Sequence, residues 1–158
     1  MVRTLIVICL ILVFMQGVQY RPTKTFDYTS SANALQTTNG VTKVNFDFLA
    51  GYEYKEEKDI PQKVKELEGK VVEITGFMLP IGFEGRSVTS FMLMSTRAGC
   101  CFGVMPRDNE FIFAKVPKGK DTRFIIDIPL TVTGTLHIGR ETLVGGIYSM
   151  TVDNVKKN

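Results

Sequence analysis

Two cysteines stand side by side in the run Gly99-Cys100-Cys101-Phe102-Gly103, and no other residues of this chain are better placed to do chemistry. The chain has three cysteines, and the third, Cys9, lies apart in an apolar N-terminal run. Adjacent thiols have three uses. They can bond to each other, but neighbouring Cα atoms are only about 3.8 Å apart across a trans peptide, so the ring is strained and easily reduced. They can offer one or two thiolates to a soft metal, zinc or copper(I), with His137, Glu110 or a methionine such as Met92, Met94 or Met105 completing the set. They can also simply pack as two small apolar side chains in a turn framed by Gly99 and Gly103 and stiffened by Pro106. Neighbouring ligands with no second cysteine pair match a zinc-finger-like site poorly. The three readings stay open at this point.

The remaining candidates are few. His137 is the one histidine, and it shares the polar face of its strand with Thr131, Thr133 and Thr135, where it is expected at the surface within reach of a neighbouring loop. Asn109 and Glu110 follow the cysteine loop. Glu110 falls in phase with Ile112 and Ala114, so its carboxylate is expected to turn toward the loop rather than into the core. Glu53, Glu56, Glu57 and Asp59 match no metal-loop spacing and read as a solvated acidic turn. Lys115, Lys118, Lys120 and Arg123 have little aromatic interleaving and read as a solvated loop, not as a nucleic-acid surface. The chain has no phosphate-cradling glycine loop, Gly-x-Ser-x-Gly, His-Glu-x-x-His or Cys-x-x-Cys. Its formal net charge of +3 is too small to imply a nucleic-acid or anionic-membrane partner. A non-enzymatic binding protein is favoured. A thiol-dependent redox protein, with His137 or Glu110 assisting a cysteine, and a purely structural partner-binding module are the alternatives.

The thiols need a compartment and a frame. Arg3 followed by the apolar run Thr4–Met15 has the length of a secretory signal and is short for a membrane span. Residues 1–19 are therefore expected to be a cleaved signal peptide or an N-terminal membrane anchor, and the membrane is expected to be met only there. The rest would be extracytoplasmic, periplasmic or secreted, where disulfides persist. Residues 20–43 are rich in Thr, Ser and Asn without a period and read as a flexible tether. Residues 44–158 form the expected single domain, with another cell-envelope protein as the expected partner.

Within that domain Ile60-Pro61 opens a short helix, with Val64 and Leu67 on one face and Gly69 at its end. Five stretches alternate with a period of two: Lys70–Leu79, Val88–Ser95, Glu110–Val116, Leu130–Ile138 and Ile147–Val155. Pro80, Gly82 and Gly85 are taken as breakers between the first two. Met92 and Met94 oppose Phe91 and Leu93, which predicts burial on both faces of that strand. Gly76 and Gly134 lie on the apolar faces of their strands, where glycine allows the sharp coil of a small closed barrel. The fold expected is mainly β: an OB-like five-stranded barrel with one short helix, with a sandwich as the alternative.

Several runs occur together in order: Leu49-Ala50-Gly51-Tyr52-Glu53-Tyr54, Leu67-Glu68-Gly69-Lys70-Val71-Val72, Gly76-Phe77-Met78-Leu79-Pro80, then Cys100-Cys101-Phe102-Gly103-x-x-Pro106-x-x-Asn109-Glu110 and Pro129–Leu136. This pattern resembles the bacterial family known as domain of unknown function 3299, over roughly Phe48 to Val155. The resemblance implies an exported or lipid-anchored bacterial protein. It brings no established activity, so no catalytic residue is carried over. The chain lacks the lipobox of lipoprotein members, which leaves its anchoring open.

Overall fold

The computed structural model describes residues 35–97, 106–120, 122–125, 127–139 and 145–158. The expected signal or anchor and most of the expected tether lie outside the described residues. In chain order the elements are β1 (Gln36–Thr38), β2 (Val41–Lys43), α1 (Phe46–Ala50), a 3-10 turn (Glu57–Asp59), α2 (Gln62–Lys65), β3 (Val71–Glu84), β4 (Ser87–Met94), β5 (Phe111–Lys115), β6 (Leu130–Ile138) and β7 (Tyr148–Lys157).

The strands form one sheet in the order β1-β2-β3-β4-β5-β7-β6, and β6 pairs back onto β3. Five strands thereby close into a barrel. β5 and β7 run parallel, and the other barrel pairs are antiparallel. This is the strand order of an OB-type barrel, so the expected fold holds and the sandwich does not.

Closure depends on β3, which serves two partners. Val71–Gly76 pair with β6, and Phe77–Glu84 pair with β4. The strand must coil at the handover, where Gly76 sits. A Cβ at Gly76 would lie 2.6 Å from the Met94 carbonyl oxygen and 3.0 Å from the Phe46 ring. Only glycine lets these three groups meet. At Gly134, beside a register shift between β6 and β7, a Cβ would collide with the Thr151 carbonyl.

Pro80 and Gly82 prove not to be breakers; β3 runs through both to Glu84. Among the described residues the strand past Gly76 pairs only with β4, which leaves one side where proline's missing N–H is tolerated. The sheet also begins earlier than composition suggests. Gln36–Thr38 and Val41–Lys43 form a hairpin inside the stretch read as tether, and β2 pairs in parallel with β3 at Val72 and Glu73. Asn39 (φ 53°) and Gly40 (φ 77°) make its two-residue turn, a conformation that Asn-Gly favours. A second helix, α1, joins the one expected. The Asn45 side chain caps it by accepting from the Phe48 N–H at 2.9 Å.

The inward rows are Val72, Ile74 and Met78; Phe91 and Leu93; Ile112 and Ala114; Leu130, Val132 and Leu136; and Tyr148, Met150 and Val152. Each such full burial contributes about 1.5–3 kcal/mol. α1 closes one end with Phe46 and Leu49, backed by Ile60, Val64 and Leu67. This end, where β3 and β7 begin and β4 and β6 finish, is the lower end. The β3–β4 hairpin and the chain after β5 form the upper end.

Candidate functional site

At the lower end the described residues stop at Arg97, just past β4, and resume at Pro106. Gly99, Cys100, Cys101, Phe102, Gly103 and Met105 lie outside the described residues; Pro106, Asn109, Glu110 and His137 are described. After Pro106 a tight turn is closed by the Glu110 N–H donating to the Arg107 carbonyl at 2.9 Å. The Glu110 carboxylate folds back over this turn. It accepts from the Arg107 backbone N–H and from Nε, both at 2.8 Å, and lies 2.7 Å from Nη2. These bonds and the guanidinium charge hold its carboxyl below the usual range. Glu110 shares the phase of the inward Ile112 and Ala114, yet its carboxylate turns back to Arg107, which occupies its oxygens.

Asn109 is the keystone of the turn. It is completely buried, and its Nδ2 donates to the Tyr52 carbonyl at 2.9 Å. Its Oδ1 is buried with no hydrogen-bond partner. Next to it the Asp108 carbonyl accepts from the Ile147 N–H at 3.0 Å, which ties the turn to the start of β7. The exit of the cysteine loop is therefore fixed to both α1's trailing segment and the last strand.

Below the core lies a tyrosine chain. The Tyr148 hydroxyl donates to the Leu49 carbonyl at 2.8 Å and lies 2.8 Å from the Tyr52 hydroxyl. A phenol has one proton, so Tyr52 donates to Tyr148. Burial pushes the Tyr148 phenol far above the free-tyrosine range, and burial also raises Tyr52. Neither works as a base near neutrality; the pair locks α1 across the lower mouth.

His137 lies at the bottom of β6, opposite Ser149 on β7, which in turn faces Phe113 on β5. Its Nδ1 is 3.2 Å from Glu68 Oε1, and Glu68 Oε2 accepts the Ile138 backbone N–H. Glu68 thus grips the ring and the adjacent backbone together. With Nδ1 directed to the carboxylate, Nε2 is the nitrogen left for a ligand, the arrangement that orients metal-binding histidines. The ring is about half exposed. Among the described residues no three of His, Cys, Asp and Glu form a metal-ligand group.

The outer face of β4 and β5 bears on ligand choice. In OB barrels this face receives oligonucleotides and oligosaccharides. Here Met94 pairs with Phe111 and Met92 with Phe113. Met94, Phe111 and Phe113 are buried, as the two-sided pattern of β4 implied, so these rings are not offered as a stacking platform. Phe111 is approached so closely by Gly146 that a Cβ there would sit 2.5 Å from the ring.

The family model for proteins of unknown function called DUF3299 matches residues 23–157. The chain belongs to this family. A crystal structure of a DUF3299 family protein from Pseudomonas aeruginosa PAO1 is similar, with a TM-score of 0.61 and 19% identity, covering 73% of this chain and 95% of that one. At that identity the likeness speaks for the fold. No curated protein matches. The motif that first suggested DUF3299 includes Tyr52, Glu68, Asn109 and Glu110, and all four sit at the lower end of this DUF3299 barrel. Sequence spacing gave no sign that Glu68 meets His137, 69 positions away, or that Tyr52 meets Tyr148, 96 positions away.

Proposed function

We propose that this domain is an extracytoplasmic accessory protein of the cell envelope that binds a soft metal ion, copper(I) or zinc, through the Cys100/Cys101 loop together with His137. The observation that carries the reading is the grip of Glu68 on His137. A surface histidine needs no such support, whereas a ligand histidine gains basicity and a fixed orientation from a carboxylate at its second nitrogen. The ring stands at the barrel end that also holds Arg97 and Pro106, the described residues on either side of the cysteine loop in sequence. The apolar run at residues 4–15 supports an exported location. Thiolate and imidazole together suit copper(I) and zinc better than harder cations.

Anaerobic titration of the reduced full chain with copper(I) and with zinc, against a competing chelator, tests this. Stoichiometric binding is expected. It should be lost in the Cys100→Ser, Cys101→Ser double variant, and Glu68→Gln should weaken it by about 10–100-fold. Affinity unchanged in the double variant would sink the metal reading and leave the loop as a packed turn. Rapid iodoacetamide labelling of a metal-free thiol that zinc fails to protect would favour the redox alternative.

A further inference from the structure

Among the described residues four large apolar side chains are exposed, and three of them share the upper end: Ile81 at 44%, Phe83 at 56% and Phe124 at 44%. One strand pairing and one hydrogen bond bring them together. Phe83 pairs across the hairpin with Val88, and the Val88 N–H donates to the Thr122 carbonyl at 2.7 Å, two residues before Phe124. Ile81 and Phe83 continue the outward phase of Thr75, Phe77 and Leu79, with shifts of register against β4 on both sides of Gly82. A Cβ at Gly82 would lie 2.6 Å from Ser90 Oγ and 2.8 Å from Thr89 Oγ1, so these hydroxyls pack directly over the glycine. Ordinary strand alternation thus carries both apolar side chains to the outside at the tip.

The same tip carries exposed basic residues. Arg86 stands in the hairpin turn, and Lys118 and Arg123 flank Phe124's segment; Glu84 and Asp127 are exposed acids described beside them, and Asp121 lies next in sequence to Thr122. Lys120 is committed elsewhere, to the Val152 and Asp153 carbonyls and the Asp153 carboxylate. The tip sets exposed apolar side chains beside exposed Arg and Lys. It fits a bilayer interface, where rings enter the headgroup region and basic side chains meet anionic lipids. Residues 20–34, which follow the apolar N-terminal run, can span at most about 50 Å, which keeps the barrel near any membrane holding that run.

We propose that the β3–β4 hairpin tip and the segment around Phe124 dock the barrel on an anionic lipid surface, a contact beyond the N-terminal segment. Docked this way, the lower end with His137 faces away from the bilayer. The proposal is independent of the metal reading.

The chain has no tryptophan, so single reporters can be placed in the full chain at Phe83→Trp and Phe124→Trp, with Tyr54→Trp at the opposite end as control. Each is mixed with phosphatidylglycerol–phosphatidylethanolamine vesicles or with phosphatidylcholine vesicles, with and without brominated acyl chains. Emission at positions 83 and 124 should move to shorter wavelength with the anionic vesicles. It should be quenched several-fold more than at position 54, and the effect should fade in about 1 M salt, where the screening length is about 3 Å. No shift at 83 and 124, or equal shifts on both vesicle types, would overturn the proposal. So would a shift that grows with protein concentration without vesicles, which would mark a second copy as the occupant.

Discussion

Tyr148→Phe isolates one buried oxygen that joins the barrel to α1. The hydroxyl donates to the Leu49 carbonyl and accepts from Tyr52, each at 2.8 Å. Removing it leaves a carbonyl without its donor beneath a fully buried ring, while the half-buried Tyr52 can turn to water. A stranded buried acceptor costs about 1–3 kcal/mol, and that range is the expected loss at pH 7.5. The second signature lies in the alkaline limb. Because the folded phenol ionises only far above the free-tyrosine range, the unfolded chain releases this proton first. The stabilisation is complete below about pH 10 and is lost above it at about 1.4 kcal/mol per pH unit. Phenylalanine removes that dependence, so wild type and variant should converge between pH 10 and 11 by roughly one such step. Urea unfolding followed by far-UV circular dichroism at pH 7.5, 9, 10 and 11 measures both effects. Equal stability at pH 7.5 together with equal alkaline slopes would refute the hydrogen-bond account of the lower mouth.

Gly76→Val should destabilise by about 3 kcal/mol or more, because the new methyls meet the Met94 carbonyl and the Phe46 ring; thermal unfolding compared with Thr75→Val is the check. Glu110→Gln should flatten the acid limb. The depressed carboxyl stabilises the fold above the ordinary carboxylate range and loses that contribution as pH falls through it, by less than about 1 kcal/mol for so exposed a pair, read from urea midpoints at pH 7 and pH 3. Asn109→Asp should remove the donor to Tyr52 and place a charge in a fully buried site, a loss of about 3 kcal/mol or more at pH 7 that partly recovers on acidification, seen in the same unfolding series.

The barrel was legible because its five strands alternate strongly enough to mark both faces. Leu130–Ile138 was readable to the residue, and the apolar-face glycines at 76 and 134 told of tight coiling before any contact was known. What escaped notice lacked that signal. The β1–β2 hairpin is held by backbone pairing of polar residues, and its mark is the Asn39-Gly40 turn rather than alternation. α1 has only five residues, too few for a helical period, and its sign was the capping Asn45. The extension of β3 past Pro80 follows from β6 having already ended, which is a fact of topology. At the candidate site, His137's exposure followed from its face, but the carboxylate behind it did not. Glu68 is brought there by the pairing of Lys70 and Leu136, whose backbones exchange a hydrogen bond at 3.0 Å.

β7 is the last strand in the chain, yet it lies between β5 and β6 in the barrel. Until its residues are available, β5 and β6 each present an unpaired edge, and no local hairpin can replace the parallel β5–β7 pairing. The barrel therefore cannot close progressively as the chain is made. It must be completed in one step once Tyr148–Lys157 emerge, and a chain cut short before Tyr148 exposes two sticky strands at once. β7 is thus the closing strand of this barrel, and a truncation within it bears on folding far more than one at Gln36.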